Sequence, residues 1–337
     1  MIPSPARSDA WGRKLASYKQ PDLRRSLFEL AVTLGGLLAV WAVTLAVWKA
    51  GPWPAALLMI PLAALFLVRM FMIQHDCGHG SYFGSKAAND WTGRLVSVLT
   101  LTPYEYWRQT HAVHHATSGD LDRRGAGAVE TLTVAEYRAL SPMRRLGYRL
   151  YRHPAVMFGV GPGFVFFLQH RLPMDLLRAG WRPWVSTLGS TAATLALLWG
   201  AGSVLGYAPV ITVFSLTALM AATIGVWLFY VQHQFDGTDW VRSSDWKLHS
   251  SALASSSHYD LPQPLLWFTA NIGVHHVHHL SSRIPFYRLQ DILRDHPELR
   301  GMNRIGLVES FRYAALTLWD EATGRLVPFR EARVAAA

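Results

Sequence analysis

Fifteen histidines stand among the 337 residues, and ten of them are placed where type and spacing could do chemistry. His75 and His79 form a pair, His111, His114 and His115 a second group, and His275, His276, His278 and His279 a third, while His233 follows a long apolar run. By composition alone an HxxHH pattern should occur in such a chain about 0.03 times. It occurs twice, beginning at His111 and at His275. Residues i, i+3 and i+4 share one side of a helix, so His111, His114 and His115 are expected to face one locus, as are His275, His278 and His279. His75 and His79 sit one turn apart. His276 falls roughly a quarter-turn off the shared face and is expected behind the ligands rather than among them. Eight convergent imidazoles are too many for one zinc, which takes about four ligands. Two metal ions are the economical reading.

Imidazole suits iron, zinc and copper alike. Hydrolytic and ferritin-like centres usually add bridging carboxylates, and the Glu-x-x-His pattern is absent. Two metals ringed by neutral nitrogen donors therefore suit O2 activation better than hydrolysis. No GxSxG elbow, Rossmann fingerprint or Walker loop occurs, so reducing equivalents are expected from a partner protein. The single cysteine, Cys77, excludes a disulfide framework and any cysteine-built zinc or iron–sulfur site. An incidental metal-binding tract would explain one HHVHH, but three face-matched groups argue against it.

The elements that must position these groups are mostly apolar. Hydrophobic residues make up 51% of the chain and charged ones 16%, where a soluble domain carries about a quarter. Runs at about 27–47, 55–73, 185–205 and 210–231 approach the twenty or so residues that cross a hydrocarbon core. They are expected to form four transmembrane helices in two hairpins, with Arg69 snorkelling to the interface near the end of the second. Residues 1–25 read as a basic, interfacial or loosely ordered arm, and 26–337 as one membrane domain. The stretches 75–183 and 232–337 are polar; within the first, 95–101 and 155–168 are short apolar runs expected to lie on or dip into the membrane face. The two outward turns carry only Lys49, so the positive-inside rule puts both termini, the central loop and all the histidine groups in the cytoplasm. The fold expected is an all-α integral membrane protein with a cytoplasmic helical cap carrying the histidines. The formal charge of +10 then reflects loops facing anionic lipid and no nucleic-acid partner. No span carries histidine or acid in its middle, which argues against a metal or proton transporter.

The segments HDCGHGSYF at 75–83, HAVHHATSGDLDRRG at 111–125 and NIGVHHVHHLSSRIPFYRL at 271–289 resemble the three histidine boxes of membrane fatty acid desaturases, most closely the bacterial acyl-lipid and delta-12 branch. FYVQHQFDGTDW at 229–240 is similar to the family's segment after its last span. The resemblance implies metal-ligand roles for His75, His79, His111, His114, His115, His233, His275, His278 and His279. It further implies two irons, O2 as co-substrate, a fatty acyl lipid substrate, a ferredoxin or cytochrome-type electron donor, and residence in a bacterial inner membrane. Related di-iron hydroxylases, ketolases and alkane monooxygenases share similar boxes and are the alternative. Some animal acyl-CoA desaturases carry an Asn one turn before the histidine matching His233; here that position is Phe229.

Around the ligands, Asp76, Asp120, Asp122, Asp236 and His276 are the candidates to orient imidazoles from behind. Arg123, Arg124 and Arg283 flank the groups and suit a headgroup or an acidic donor protein. Trp107, Trp240 and Trp267 are expected in an interfacial belt. His153, His170, His249, His258 and His296 are isolated and expected at the surface.

Overall fold

The computed structural model describes residues 11–51, 53–124 and 128–334. The chain is mostly helical, and four of its helices are long and apolar enough to cross a membrane. Helix α1 (Leu23–Ala50) starts at Asp22, whose side chain accepts from the Arg25 amide at 3.0 Å and so satisfies one of the free N–H groups of the first turn. Helix α2 (Trp53–His79) follows after a two-residue break. Then come α3 (Lys86–Thr100), α4 (Tyr104–Thr117), the amphipathic α5 (Pro142–Tyr151), a π-helical turn over Ala155–Val160 and α6 (Gly161–Phe167). Long helices α7 (Trp181–Leu205) and α8 (Tyr207–His233) are joined at Gly206. The remainder holds short helices, among them α9 (Leu248–Ala254), α10 (His275–Leu280) and α11 (Leu289–Asp295). Strand β1 (His258–Asp260) pairs in parallel with β2 (Arg304–Gly306), and β3 (Leu318–Asp320) antiparallel with β4 (Arg325–Val327).

The spanning helices are longer than the apolar runs that announced them. At about 1.5 Å per residue, 27 residues reach about 40 Å, beyond a hydrocarbon core of roughly 30 Å. Helix α2 passes the expected end at Ile73 because nothing breaks it before Gly80, which adopts φ +66° and bonds back to the Asp76 and Cys77 carbonyls. A left-handed residue closes a helix most cheaply when it is glycine. His75 and His79 therefore ride on the last turns of α2 itself, and His233 is the last residue of α8. Helix α2 is the central member, with 56% of its most apolar window buried inside the protein against 17% for α1 and 11% for α7. It packs on α1, α3 and α8.

Arg69 corrects the sequence expectation. It does not snorkel but lies 2% exposed, paired with Glu29 of α1 and stacked 3.9 Å over the Trp267 ring. Glu29 also takes Arg25 at 2.7 Å. Removing one partner of a buried pair strands the other, at a cost of about 3–5 kcal/mol. Glu29→Ala should therefore lower the thermal unfolding midpoint sharply in detergent; an unchanged midpoint would show that the pair does not hold α1 to α2.

Residues 11–22, expected as a basic arm, are packed rather than loose. Trp11 and Leu15 are buried, Trp11 meets His296 edge-on at 5.3 Å, and the Tyr18 hydroxyl donates to Asp295 at 2.7 Å. Residues 1–10 of that arm lie outside the described residues. The apolar run 95–101 falls in and just after α3, against α2 and α7. The run 155–168 is helical too, the π-helical turn passing directly into α6 with Pro162 near the junction.

Candidate metal centre

Four elements bring the histidines together. The end of α2 supplies His75 and His79, the last two turns of α4 supply His111, His114 and His115, the end of α8 supplies His233, and α10 is a six-residue helix made almost wholly of the third group. The ligand-capable nitrogens fall into two groups, each within 4.8 Å of one another: His75, His79, His111, His115 and His278, and His114, His233, His275 and His279. One group holds five donors and the other four.

The partition departs from the single locus expected for each box. Residues are about 100° apart around a helix, so i and i+4 lie about 40° apart while i+3 stands about 100° from i+4. His111 and His115 accordingly join one group and His114 the other; on α10, His275 and His279 stay together and His278 leaves them. Each short helix thus serves both groups. The groups share a wall where the His115 and His279 rings stack at 4.1 Å and 16°.

Within the groups the Nε2 atoms crowd together. His79–His111, His111–His115 and His115–His278 are each 3.1 Å apart, His114–His233 is 3.1 Å and His233–His275 is 3.0 Å. Donors at about 2.1 Å from one ion and about 90° apart would be separated by about 3.0 Å. Protons cannot satisfy the whole chain of contacts, because each neutral ring has one N–H to give. The Nε2 of His279 is buried with no hydrogen-bond partner. Two cations fit these nitrogens; a hydrogen-bonded core would leave them under-satisfied.

Two contacts set the tautomer from behind. The Nδ1 of His75 lies 3.1 Å from Asp76 Oδ1, whose other oxygen accepts the Phe286 amide at 2.7 Å. The Nδ1 of His233 lies 3.0 Å from the Ser255 carbonyl. With Nδ1 donating, Nε2 keeps its lone pair for a metal. Of the four aspartates singled out, Asp76 alone bonds to one of the nine grouped histidines among the described residues. Asp120 is buried but accepts from Arg123, Ser243 and the Asp122 amide; Asp122 is held by Arg242 at 2.6 Å and the Ser243 amide; Asp236 is exposed. Asp120 and Asp122 fasten the loop after α4 to the one after α8. His276 is buried outside both groups, its Nε2 2.9 Å from the Leu299 carbonyl.

Aromatic residues pack against the donors. Trp107, one turn before His111, stacks on its ring at 4.5 Å and 17° and also meets Phe71 edge-on at 5.3 Å. Spacing of i and i+4 on α4 could have signalled it, but tryptophan in an apolar chain reads first as an interfacial anchor. Trp267 covers Arg69, and Trp240 packs with Leu121, Trp319 and Leu326 rather than in a belt. Phe229 lies 5.0 Å from His114 and 5.4 Å from His233, where it lines a pocket of ≈ 20 Å³ together with Ser118 and Gln234. That is room for about one water. Arg124 also lines it and is bound to Glu136, while Arg123 holds Asp120. Among the isolated histidines, His258 is buried with its Nδ1 2.7 Å from the Arg300 carbonyl, contrary to a surface role.

Burial pushes the imidazoles of His111, His114, His115, His275, His278 and His279 well below the usual range; for all but His114 and His278, which repel fewer neighbours, at least four nearby histidines add to it. They are neutral near pH 7, as ligands must be. In the unfolded chain the same groups protonate near about 6.5, so below that pH the unfolded state binds more protons. Stability is then complete above about pH 6.5 and is lost as pH falls. Metal-stripped protein should show a thermal midpoint that drops steeply between about pH 7 and pH 5, and a flat profile would contradict neutral burial.

Comparison with known proteins gives a consistent result. A family profile described as fatty acid desaturase matches residues 51–310. A protein named fatty acid desaturase from Bacillus subtilis (strain 168) is 38% identical over 318 residues, covering 94% of this chain and 90% of its own. A Synechocystis sp. protein named sn-1 acyl-lipid omega-3 desaturase (ferredoxin) is 28% identical over 263 residues, covering 74% and 68%. A Vigna radiata protein named omega-3 fatty acid desaturase, endoplasmic reticulum, is 26% identical over 301 residues, covering 82% and 74%.

Proposed function

This chain belongs to the fatty acid desaturase family and is an integral membrane oxidoreductase of that kind, and from that premise we propose that it converts a CH2–CH2 unit of a membrane-lipid acyl chain into a cis double bond. The nine histidines hold two irons in this reading, five donors on one and four on the other. When bound, the irons supply the O2 chemistry that attacks an unactivated C–H bond. The balance is one acyl chain, O2, two electrons and two protons giving the alkene and two waters. A ferredoxin-type donor delivers the electrons, as the name of the Synechocystis relative suggests for that protein.

The chain's own residues then have defined tasks. The ends of α2 and α8 carry ligands into the same centre, so those two ends lie on one side of the membrane, which we assign to the cytoplasm of a bacterial inner membrane on the basic residues of the loops. The four spans form two hairpins beneath a helical cap. Asp76 and the Ser255 carbonyl hold imidazoles by Nδ1 so that Nε2 faces the ions. Phe229 presents an apolar ring to His114 and His233 of the four-donor group.

The observation that carries the proposal is the gathering of nine imidazoles from four elements into two groups, each with the nitrogen spacing of a coordination shell. Its test is expression in a host whose lipids are then analysed by mass spectrometry with double-bond mapping, alongside metal analysis of the purified protein. A new alkene with about two irons per chain is the expected result. A hydroxylated acyl chain, or iron-free protein that still desaturates, would overturn it.

A further inference from the structure

Away from the histidines, an open cleft of ≈ 880 Å³ collects positive charge. It lies between the end of α5, the turn at 311–315 and the segment 328–330, and Arg149, Arg152, Arg312, Arg330 and His153 line it with no carboxylate among its described lining residues. Arg152 is 2% exposed, yet its partners are all neutral: the carbonyls of Glu130 at 3.0 Å and Leu316 at 2.8 Å, the hydroxyls of Thr131 and Tyr230, and Gln234. Its Nε has no acceptor. A buried cation without a counter-charge is costly, and an anion in the adjoining cleft would relieve it. Arg330 is exposed and enters no ion pair among the described residues; Arg312 is held at the rim by Glu309 at 2.7 Å, and Arg149 reaches the Tyr137 hydroxyl.

The surroundings choose among anions. Phe311, in the cleft wall, is 61% exposed, and nearby Val308 is 83% exposed. Met143, Leu146 and Leu150, spaced i, i+3 and i+7, form an exposed apolar stripe along α5, with Arg149 on the flanking face. Phe311 stacks at 5.2 Å and 26° on Trp227 of α8, six residues before His233. The cleft mouth is therefore level with the last two turns of a spanning helix. Arginines beside exposed apolar surface at that level suit an amphiphile better than a soluble acidic protein.

We propose that this cleft binds the phosphodiester headgroup of an anionic membrane lipid, with acyl chains running along Phe311 and the α5 stripe. The proposal rests on α8 spanning the bilayer as read above, and not on turnover. The test uses the full-length, metal-loaded protein in a neutral detergent. Thermal unfolding is followed with added phosphatidylglycerol, with phosphatidylcholine at the same mole fraction, and with inorganic phosphate. Phosphatidylglycerol should raise the midpoint by several degrees, on the order of 5 °C, and added NaCl should shrink the shift. The double variant Arg312→Gln, Arg330→Gln changes only exposed side chains, and it should lose at least about half of the shift while keeping its iron. An equal response to phosphatidylcholine, an equal response to inorganic phosphate, or an undiminished shift in the double variant would each overturn the proposal. So would an acidic redox protein whose binding, rather than that of lipid, is lost in the variant. Iron content and desaturation measured on the same samples keep failure here distinct from failure of the desaturase reading.

Discussion

Replacing His278 or His279 by Ala should each abolish desaturation, but with different losses of metal. His278 belongs with His75, His79, His111 and His115, and His279 with His114, His233 and His275. Removing one imidazole leaves a hole in one group and the other group's donors intact. The iron count should fall from two towards one per chain in both variants, with the ion lost from the five-donor group in one and from the four-donor group in the other. Because the two ions act together in the proposed reaction, product should fall at least about 100-fold in either case. Asp76→Asn is the informative contrast. It keeps all nine donors but leaves one acceptor oxygen where the His75 Nδ1 and the Phe286 amide each use one, so the ion of the five-donor group should bind more weakly or turn over more slowly, by about 10–100-fold. Metal analysis, lipid product analysis and a spectroscopic probe of the iron pair, read on folded protein, separate these cases. Full iron and full product in His278→Ala would remove that residue from the centre.

What the sequence made legible divides along physical lines. The spans were legible because hydrophobicity over twenty residues survives any packing arrangement. Their ends were not, since a helix stops where its backbone is capped, and Gly80 caps α2 well past the point where Ile73 ends the apolar run. The histidine groups were legible from spacing, yet the five-to-four division was missed. The rule that i, i+3 and i+4 share a side ignores the roughly 100° between the last two, which is what lets α4 and α10 each supply both donor groups. Arg69 was misread because its partner, Glu29, lies forty residues away in another helix. Asp120 and Asp122 sit near His115 in the chain, but their oxygens are taken by Ser243 and Arg242 from the loop after α8. Such choices are made by long-range contacts, which one chain read in order does not display.

Gly273→Ala should cost both metal ions at once, although the residue is neither a ligand nor in a left-handed conformation. A Cβ built there would lie 2.1 Å from the Tyr259 carbonyl oxygen. The neighbour is backbone, and it cannot swing away as a side chain could: Tyr259 sits in β1, its amide donates to the Gly273 carbonyl at 2.7 Å, and β1 is itself paired with β2. The segment carrying Gly273 must therefore shift, and His275 lies two residues on. Through α10 the displacement reaches His278 of one group and His275 and His279 of the other. Overpacking of this kind costs about 1–3 kcal/mol, and a misplacement of about 1 Å is enough to spoil a coordination shell. The expected variant is folded or marginally so, with iron well below one per chain and no desaturation. Gly147→Ala is its control: nothing lies within 4 Å of a Cβ there and the position is inside α5, so stability should hold or rise by about 0.5–1 kcal/mol with iron unchanged. If Gly273→Ala kept both irons, α10 would be free to slide on β1, and its close seating could not be what aims the third histidine group at the two ions.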